Sequence, residues 1–291
     1  MDEAPLPIID ADTLSHEGYG RCIYCGSRGG EDGLHEEHVL QFSLGGNATI
    51  KKGSCSKCEK ITCKLDGFLA NHIFNEVRIS RRIQSRSGTT KKTKELPFTY
   101  ALNKGPRTTQ SLRIEDRPYQ VIFPSLQPPG VLSASKPVTT FSNFGSYTYT
   151  HIPETFWDTV GAGQEGDIEI VNKKSIDLHT FCRALAKIAV GYQALTSGAS
   201  EYARSEANDL VRGLYPYSSH IVGGDGLPNA KAVEALHAIG FDHVAANGRF
   251  YQFCTIRLFA NCKDPNGIGP PTYRVMMGAG SAMTSSDWSD A

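Results

Sequence analysis

Two pairs of cysteines and an acidic–histidine triplet are the residues of this chain best equipped for chemistry. Cys22 and Cys25 form one Cys-x-x-Cys, Cys55 and Cys58 form a second, and Glu36-Glu37-His38 lies between them. Two thiolates three positions apart chelate one ion from a tight turn, and two such pairs complete a tetrahedral site for Zn2+. A four-thiolate site has no vacant position for substrate, so its zinc holds shape and chemistry falls to the triplet. Cleavage of a phosphodiester needs a base to activate water and a cation to take up charge on the phosphoryl and departing oxygens. Histidine serves as that base near neutral pH, and a carboxylate beside it holds a hard divalent ion through oxygen. Neighbours on a regular strand point to opposite sides. Glu37 and His38 therefore share a site only if the chain bends there, or if the ion sits at the strand's edge.

The elements that must position these groups are short. Leu34 to Phe42 reads as a strand carrying the triplet, Ser43-Leu44-Gly45-Gly46 as a turn, and Asn47 to Lys51 as a second strand or loop edge. A helix opens at the second cysteine pair, because Ile61, Leu65, Phe68, Leu69, His72 and Ile73 recur at three- and four-residue spacing. Its outer face carries Lys57, Lys60 and Lys64, and a continuation through Val77, Ile79 and Ile83 carries Arg78, Arg81 and Arg82. Net charge is zero, yet residues 1–50 hold nine acidic and two basic side chains and residues 51–94 hold three acidic and twelve basic. A basic segment beside a candidate metal site points to a polyanion partner. Residues 85–94 contain no apolar side chain and include Lys91 and Lys92. They mark a boundary near residue 95, giving a first domain over 1–94 and a second over 95–291.

The second region mixes periods, so the fold class is α+β. Short alternating runs such as Tyr119–Phe123, Ser146–Thr150 and Asp167–Val171 read as strands. Leu178, Phe181, Leu185, Ile188 and Tyr192 make one helical stripe, and a second helix follows around Glu201–Leu214. Phe250–Ala260 is the strongest strand, with another at Tyr273–Met277, and the glycine-rich Ser219–Gly226 reads as a plain turn. Lys187, a lone charge within the helical stripe, reads as a snorkelling side chain. Cys182 and Cys254 read as small core residues, His16 as a surface histidine, and Thr284–Ala291 as a disordered tail. Paired cysteines without a basic signal segment favour metal in a reducing compartment, the cytoplasm. No apolar run is long enough to span a bilayer.

Taken in order, the first cysteine pair, an acidic-His pair, Gly45-Gly46 and a second cysteine pair opening a helix resemble the HNH endonuclease family in its zinc-stapled form. The resemblance covers about residues 20–75 and implies a ββα-metal finger of treble-clef type. It makes His38 the general base, Glu37 the metal ligand preceding it, and Asn47 the asparagine that steadies the base-bearing loop. Where the family places His or Asn at the helix start, this chain has Glu59. A carboxylate there ligates Mg2+ or Mn2+ through oxygen, and Asp66, further along the same helical face, is the alternative second ligand. Glu36 and His35 rank below these.

The resemblance also implies a nucleic-acid substrate, double-stranded DNA. Lys57, Lys60, Lys64, Arg78, Arg81, Arg82, Lys91 and Lys92 would then contact phosphates without reading sequence. A homodimer is one way to make a double-strand break. Lys187-Ile188-Ala189 and Arg257-Leu258-Phe259-Ala260 resemble, more weakly, the companion region of bacterial HNH proteins. That likeness implies a regulatory, substrate-choosing or dimerising role for residues 95–291, with antiphage defence as the setting.

Overall fold

A computed structural model describes residues 14–84, 94–133, 136–141, 145–161, 167–170, 175–197, 205–226 and 231–281. Lys91, Lys92 and the Thr284–Ala291 tail lie outside the described residues.

The first part of the chain builds a small sheet and a helix around the cysteines. Strand β1 (Ser15–His16) runs parallel to β3 (Thr49–Cys55), which pairs antiparallel with β2 (Leu34–His38), in the order β1-β3-β2. Helix α1 (Ser56–Gly67) follows β3 without a loop and buries Cys58, Thr62 and Leu65. A wide helical turn over Phe68–Ile73 then places the Phe74 amide on the Leu69 carbonyl at 2.8 Å, and α2 (Asn75–Ser80) continues from it. The ββα arrangement expected of the first region is therefore present. The strand expected over Leu34–Phe42 is shorter, ending at His38. The chain then turns through a short 3-10 segment at Phe42–Leu44, and β2 and β3 rejoin through Val39 N–H to the Ala48 carbonyl at 3.0 Å. Gly46 makes that turn fit, since a Cβ there would fall 2.0 Å from the Leu40 carbonyl oxygen.

The remainder is mixed, as its alternating periods require. Strands β4 (Glu95–Leu102), β5 (Arg107–Arg113) and β8 (Ile168–Ile170) form an antiparallel sheet in the order β5-β4-β8. Helix α3 (Glu154–Val160) adds Phe156 to the small core of Phe98, Tyr100 and Leu112. Strands β6 (Tyr119–Ser125) and β7 (Gly145–His151) pair antiparallel. Helices α4 (Leu178–Ser197), α5 (Glu206–Arg212) and α6 (Ser218–Ile221) precede an antiparallel sheet in the order β10-β11-β12-β9. Its strands are β9 (Val222–Gly224), β10 (His237–Ala246), β11 (Arg249–Leu258) and β12 (Tyr273–Ser281). The glycine-rich run expected as a turn is thus α6 followed by the edge strand β9.

Helix α4 is buried on more than the predicted stripe. Cys182, Ala184, Ala186, Ala189, Val190 and Ala194 are covered as well as Phe181, Leu185 and Ile188. Small side chains on its other faces allow it to be packed from several directions. The largest apolar cluster runs from Ile23, Leu44 and Ile50 through Phe74 and Phe123 to Leu185, Ile188, Phe253 and Phe259. Phe74, at the end of the finger's helical segment, sits 5.6 Å from the Phe123 ring and 5.0 Å from the Phe259 ring. The buried core therefore unites residues on both sides of position 95, and the finger rests on α4 and on the last sheet. Truncating a side chain so placed to alanine costs about 3–5 kcal/mol. Among the described residues, no helix is long and apolar enough to cross a membrane.

Candidate active site

The cysteine clip assembles at the junction of the first loop and α1. The Sγ atoms of Cys22, Cys25, Cys55 and Cys58 all lie within 4.8 Å of one another, with Cys25 and Cys55 3.6 Å apart. The first pair is shaped by its own backbone: the Gly26 N–H donates to the Cys22 carbonyl at 2.9 Å and the Cys22 N–H to Ser27 at 2.7 Å. Contact with Cys58 draws the Cys22 thiol down to about 5 and pushes the Cys58 thiol up. Four converging sulfurs, one already inclined to the thiolate, fit a structural Zn2+.

Beside the clip, β2 and α1 enclose a pocket of about 230 Å3, lined by Glu36, Glu37, His38, Gln41, Glu59, Thr62, Cys63 and Asp66 among others. No break falls between Glu37 and His38, which pair in step with Ile50 and Thr49; the register shift lies before them, where Glu36 alone faces Lys51, Lys52 and Gly53 of β3. All three members of the triplet nevertheless line one pocket, at the end of β2. Glu36 Oε1 lies 3.3 Å from His38 Nε2, with the imidazole mostly covered and the carboxylate half-exposed.

Glu37 is only 4% exposed and would be costly as an isolated charge. Two partners compensate it. The Thr62 hydroxyl donates to Oε2 at 3.1 Å, and Lys187 Nζ lies 3.1 Å from Oε1. Lys187 comes from α4, is itself fully buried, and also contacts Asp66 Oδ1 and Oδ2 at 3.1 Å and the His38 carbonyl. Burial pushes the Asp66 carboxyl up to about 6, against the pull of Lys187.

Glu59 also lines the pocket but leans toward His35. Its Oε2 lies 3.7 Å from His35 Nδ1, and His35 Nε2 is 3.0 Å from the Ser56 hydroxyl, which donates to Asp32. Asn47 is exposed just ahead of β3 and does not line the pocket. Four carboxylates and an imidazole around one opening are a donor set that fits a hard divalent ion. Among the described residues, however, only the four cysteines bring three or more ligand atoms within 4.8 Å, so the pocket is not a ready-made chelate.

Residues 22–74 match the HNH endonuclease family model. No curated protein and no solved structure matched the chain. The family's domains are nucleases in general, and the matched stretch holds the clip, the triplet and all of α1. Nucleic acid is the substrate class that such a domain implies.

The basic residues of α1 and of the stretch that follows it divide into two groups. Lys57, Lys60 and Lys64 are exposed on α1, on the face turned away from the core. Arg78 donates to Asn71 and Asn75 at 3.4 and 3.0 Å, and Arg82 to Glu115 at 2.9 Å. Arg81 points inward: it donates to the Tyr119 hydroxyl at 3.1 Å, to Asn261 at 2.6 Å and to Cys262 at 3.2 Å. Its guanidinium, expected among the phosphate contacts, is engaged here in joining the end of α2 to Tyr119, Asn261 and Cys262.

Spacing within the HNH segment did not reveal its remote partners. Besides Lys187, Asn208 of α5 donates to the Ile23 and Tyr24 carbonyls at 2.7 and 3.3 Å, inside the first knuckle. His237 Nε2 meets the Leu44 carbonyl at 2.8 Å, in the turn behind the triplet. Lys187, expected to snorkel from an otherwise apolar helix, is instead fully buried with its ammonium on Glu37 and Asp66.

Proposed function

We propose that this protein is a metal-dependent endonuclease that hydrolyses phosphodiester bonds in double-stranded DNA. The observation that carries the reading is the convergence of Glu36, Glu37, His38 and Asp66 on one pocket beside a four-thiolate clip. His38 takes a proton from the attacking water, and Glu36, 3.3 Å from Nε2, stabilises the imidazolium that forms. Glu37 and Asp66 are the ligands best placed for Mg2+ or Mn2+, since one ammonium already touches both, and Glu59 is the alternative second ligand. Such an ion, when bound, supplies positive charge to the phosphoryl oxygens and the departing 3′ oxygen. By likeness to the family, the products carry a 5′ phosphate and a 3′ hydroxyl. Lys57, Lys60 and Lys64 hold the duplex by its phosphates. Residues 95–291 frame the nuclease centre and set when it works.

Plasmid nicking by the zinc-loaded full chain with Mg2+ or Mn2+ tests the reading. Wild type is expected to convert supercoiled to open-circular DNA, and His38→Ala to be slower by about a hundredfold or more. A wild type that binds the plasmid and leaves it intact, or a His38→Ala variant as fast as wild type, would sink the assignment.

A further inference from the structure

The nuclease reading leaves one buried charge unused. Lys187 leaves the middle of α4 and ends between the two carboxylates that the reading assigns to a divalent ion. Its Nζ stands 3.1 Å from Glu37 Oε1 and 3.1 Å from each oxygen of Asp66. It also donates to the His38 carbonyl and lies 3.5 Å from the Val39 carbonyl. The helix reaches this close because Gly191, one turn on, has no side chain; a Cβ there would sit 3.2 Å from Val39 Cα. Every polar contact of the ammonium is thus with β2, the residue after it, or α1.

Two cations are therefore offered the same oxygens from opposite sides. Glu37 and Asp66 line the open pocket, and Lys187, fully buried, does not. An ion entering from solvent meets carboxylates whose rear is already neutralised in part. Building on the nuclease reading, we propose that Lys187 is a tethered counter-ion that fixes Glu37, Asp66 and the His38 backbone. By its charge it lowers the affinity of that pair for the divalent ion. Lys187 does not line the pocket, so it is a positioning residue. Through it α4, outside the HNH segment, sets the ion concentration at which the centre fills.

The test is Mn2+ binding to the zinc-loaded full chain at pH 8 and low salt, without DNA, read from the electron paramagnetic resonance of free Mn2+. Removing one positive charge a few ångströms behind the ligands is expected to tighten binding by about tenfold or more in Lys187→Met. Lys187→Gln keeps a donor for the His38 carbonyl while losing the charge. It should tighten binding similarly, and it replaces the methionine variant if that one fails to fold. Equal affinity within twofold, or weaker binding, in a folded variant overturns the proposal, because a purely structural ion pair predicts one of those results. Nicking separates this from the nuclease reading. Tighter Mn2+ binding in a protein whose wild type never nicks keeps the counter-ion and discards the nuclease. Intact nicking with unchanged Mn2+ affinity does the reverse.

Discussion

Glu36, Glu37 and His38 are consecutive, yet Glu37 meets a different environment from its neighbours, because successive residues of β2 face opposite sides. Glu36 stays half-exposed beside the imidazole, while Glu37 turns under it to Thr62 and Lys187. The same local geometry favours Asp66 as the second ion ligand of the proposed centre. Asp66 lies on the α1 face that meets Glu37, whereas Glu59, near the start of α1, leans toward His35. Asp66→Asn is therefore expected to raise the Mg2+ needed for half-maximal nicking, and to slow nicking at fixed Mg2+ by roughly 10- to 100-fold. Glu59→Gln should stay within about threefold of wild type, as an exposed side chain outside the ligand pair. A Mg2+ titration of the nicking rate decides between them, and the opposite ranking would return the second ligand to Glu59. The triplet and the cysteines were legible from sequence because they lie within one short stretch, where spacing alone implies proximity.

Helix α1 divides its circumference among three tasks. Cys58, Leu65 and Thr62 are buried, Glu59, Cys63 and Asp66 line the pocket, and Lys57, Lys60 and Lys64 form an exposed stripe at spacings of three and four. A stripe of this kind grips phosphates and releases counter-ions, so its contribution shows in salt dependence. Replacing all three lysines by alanine should weaken DNA binding across sequences. The slope of log affinity against log salt should fall by about 2–3, each lost phosphate contact being worth roughly 0.9. An unchanged slope would mean that the DNA lies elsewhere. Arg81→Ala makes the contrast. It should leave the salt slope alone and cost about 1–3 kcal/mol of stability in urea unfolding, because it removes bonds to Tyr119, Asn261 and Cys262. From sequence, Arg81 and Lys57 are both basic residues on a helical pattern. What separates them is tertiary packing, which periodicity does not encode. The turn that joins β10 to β11 is Asn247-Gly248, whose residues take positive φ, 51° and 68°.

At the scale of the molecule, the region after residue 95 holds the HNH segment by a series of polar contacts distant in sequence. Asn208 caps carbonyls of the first knuckle, Lys187 sits behind the ligand strand, Arg81 reaches the end of the last sheet, and His237 holds the turn that follows the triplet. Contacts of such separation leave no spacing pattern, which is why the finger could be read from sequence and its clamp could not. His237 gives the clamp a pH dependence with a definite sign. Its Nε2–H donates to the Leu44 carbonyl, and its Nδ1 accepts the Phe259 N–H at 3.2 Å, so the folded protein holds the neutral ring. Phe259 adopts a left-handed backbone, φ 51°, which this bond helps to hold. Burial lowers the imidazole from its ordinary 6.5 to about 4. A base with a depressed folded value contributes its stability in full above 6.5 and loses it as pH falls from 6.5 through 4, about 3 kcal/mol in all. Urea unfolding at pH 7.5 and 4.5 should therefore show a loss in wild type about 2–3 kcal/mol larger than in His237→Gln, which keeps a donor for Leu44 and does not titrate. Protonation removes the acceptor at Nδ1 and places a charge behind Leu44. Amide exchange of Ser43–Gly46, the turn between the triplet and β3, should accordingly quicken on acidification before the core opens. Parallel pH dependences in the two proteins, or a turn that opens only with global unfolding, would detach His237 from the nuclease centre and leave Lys187 and Asn208 as the connections that matter.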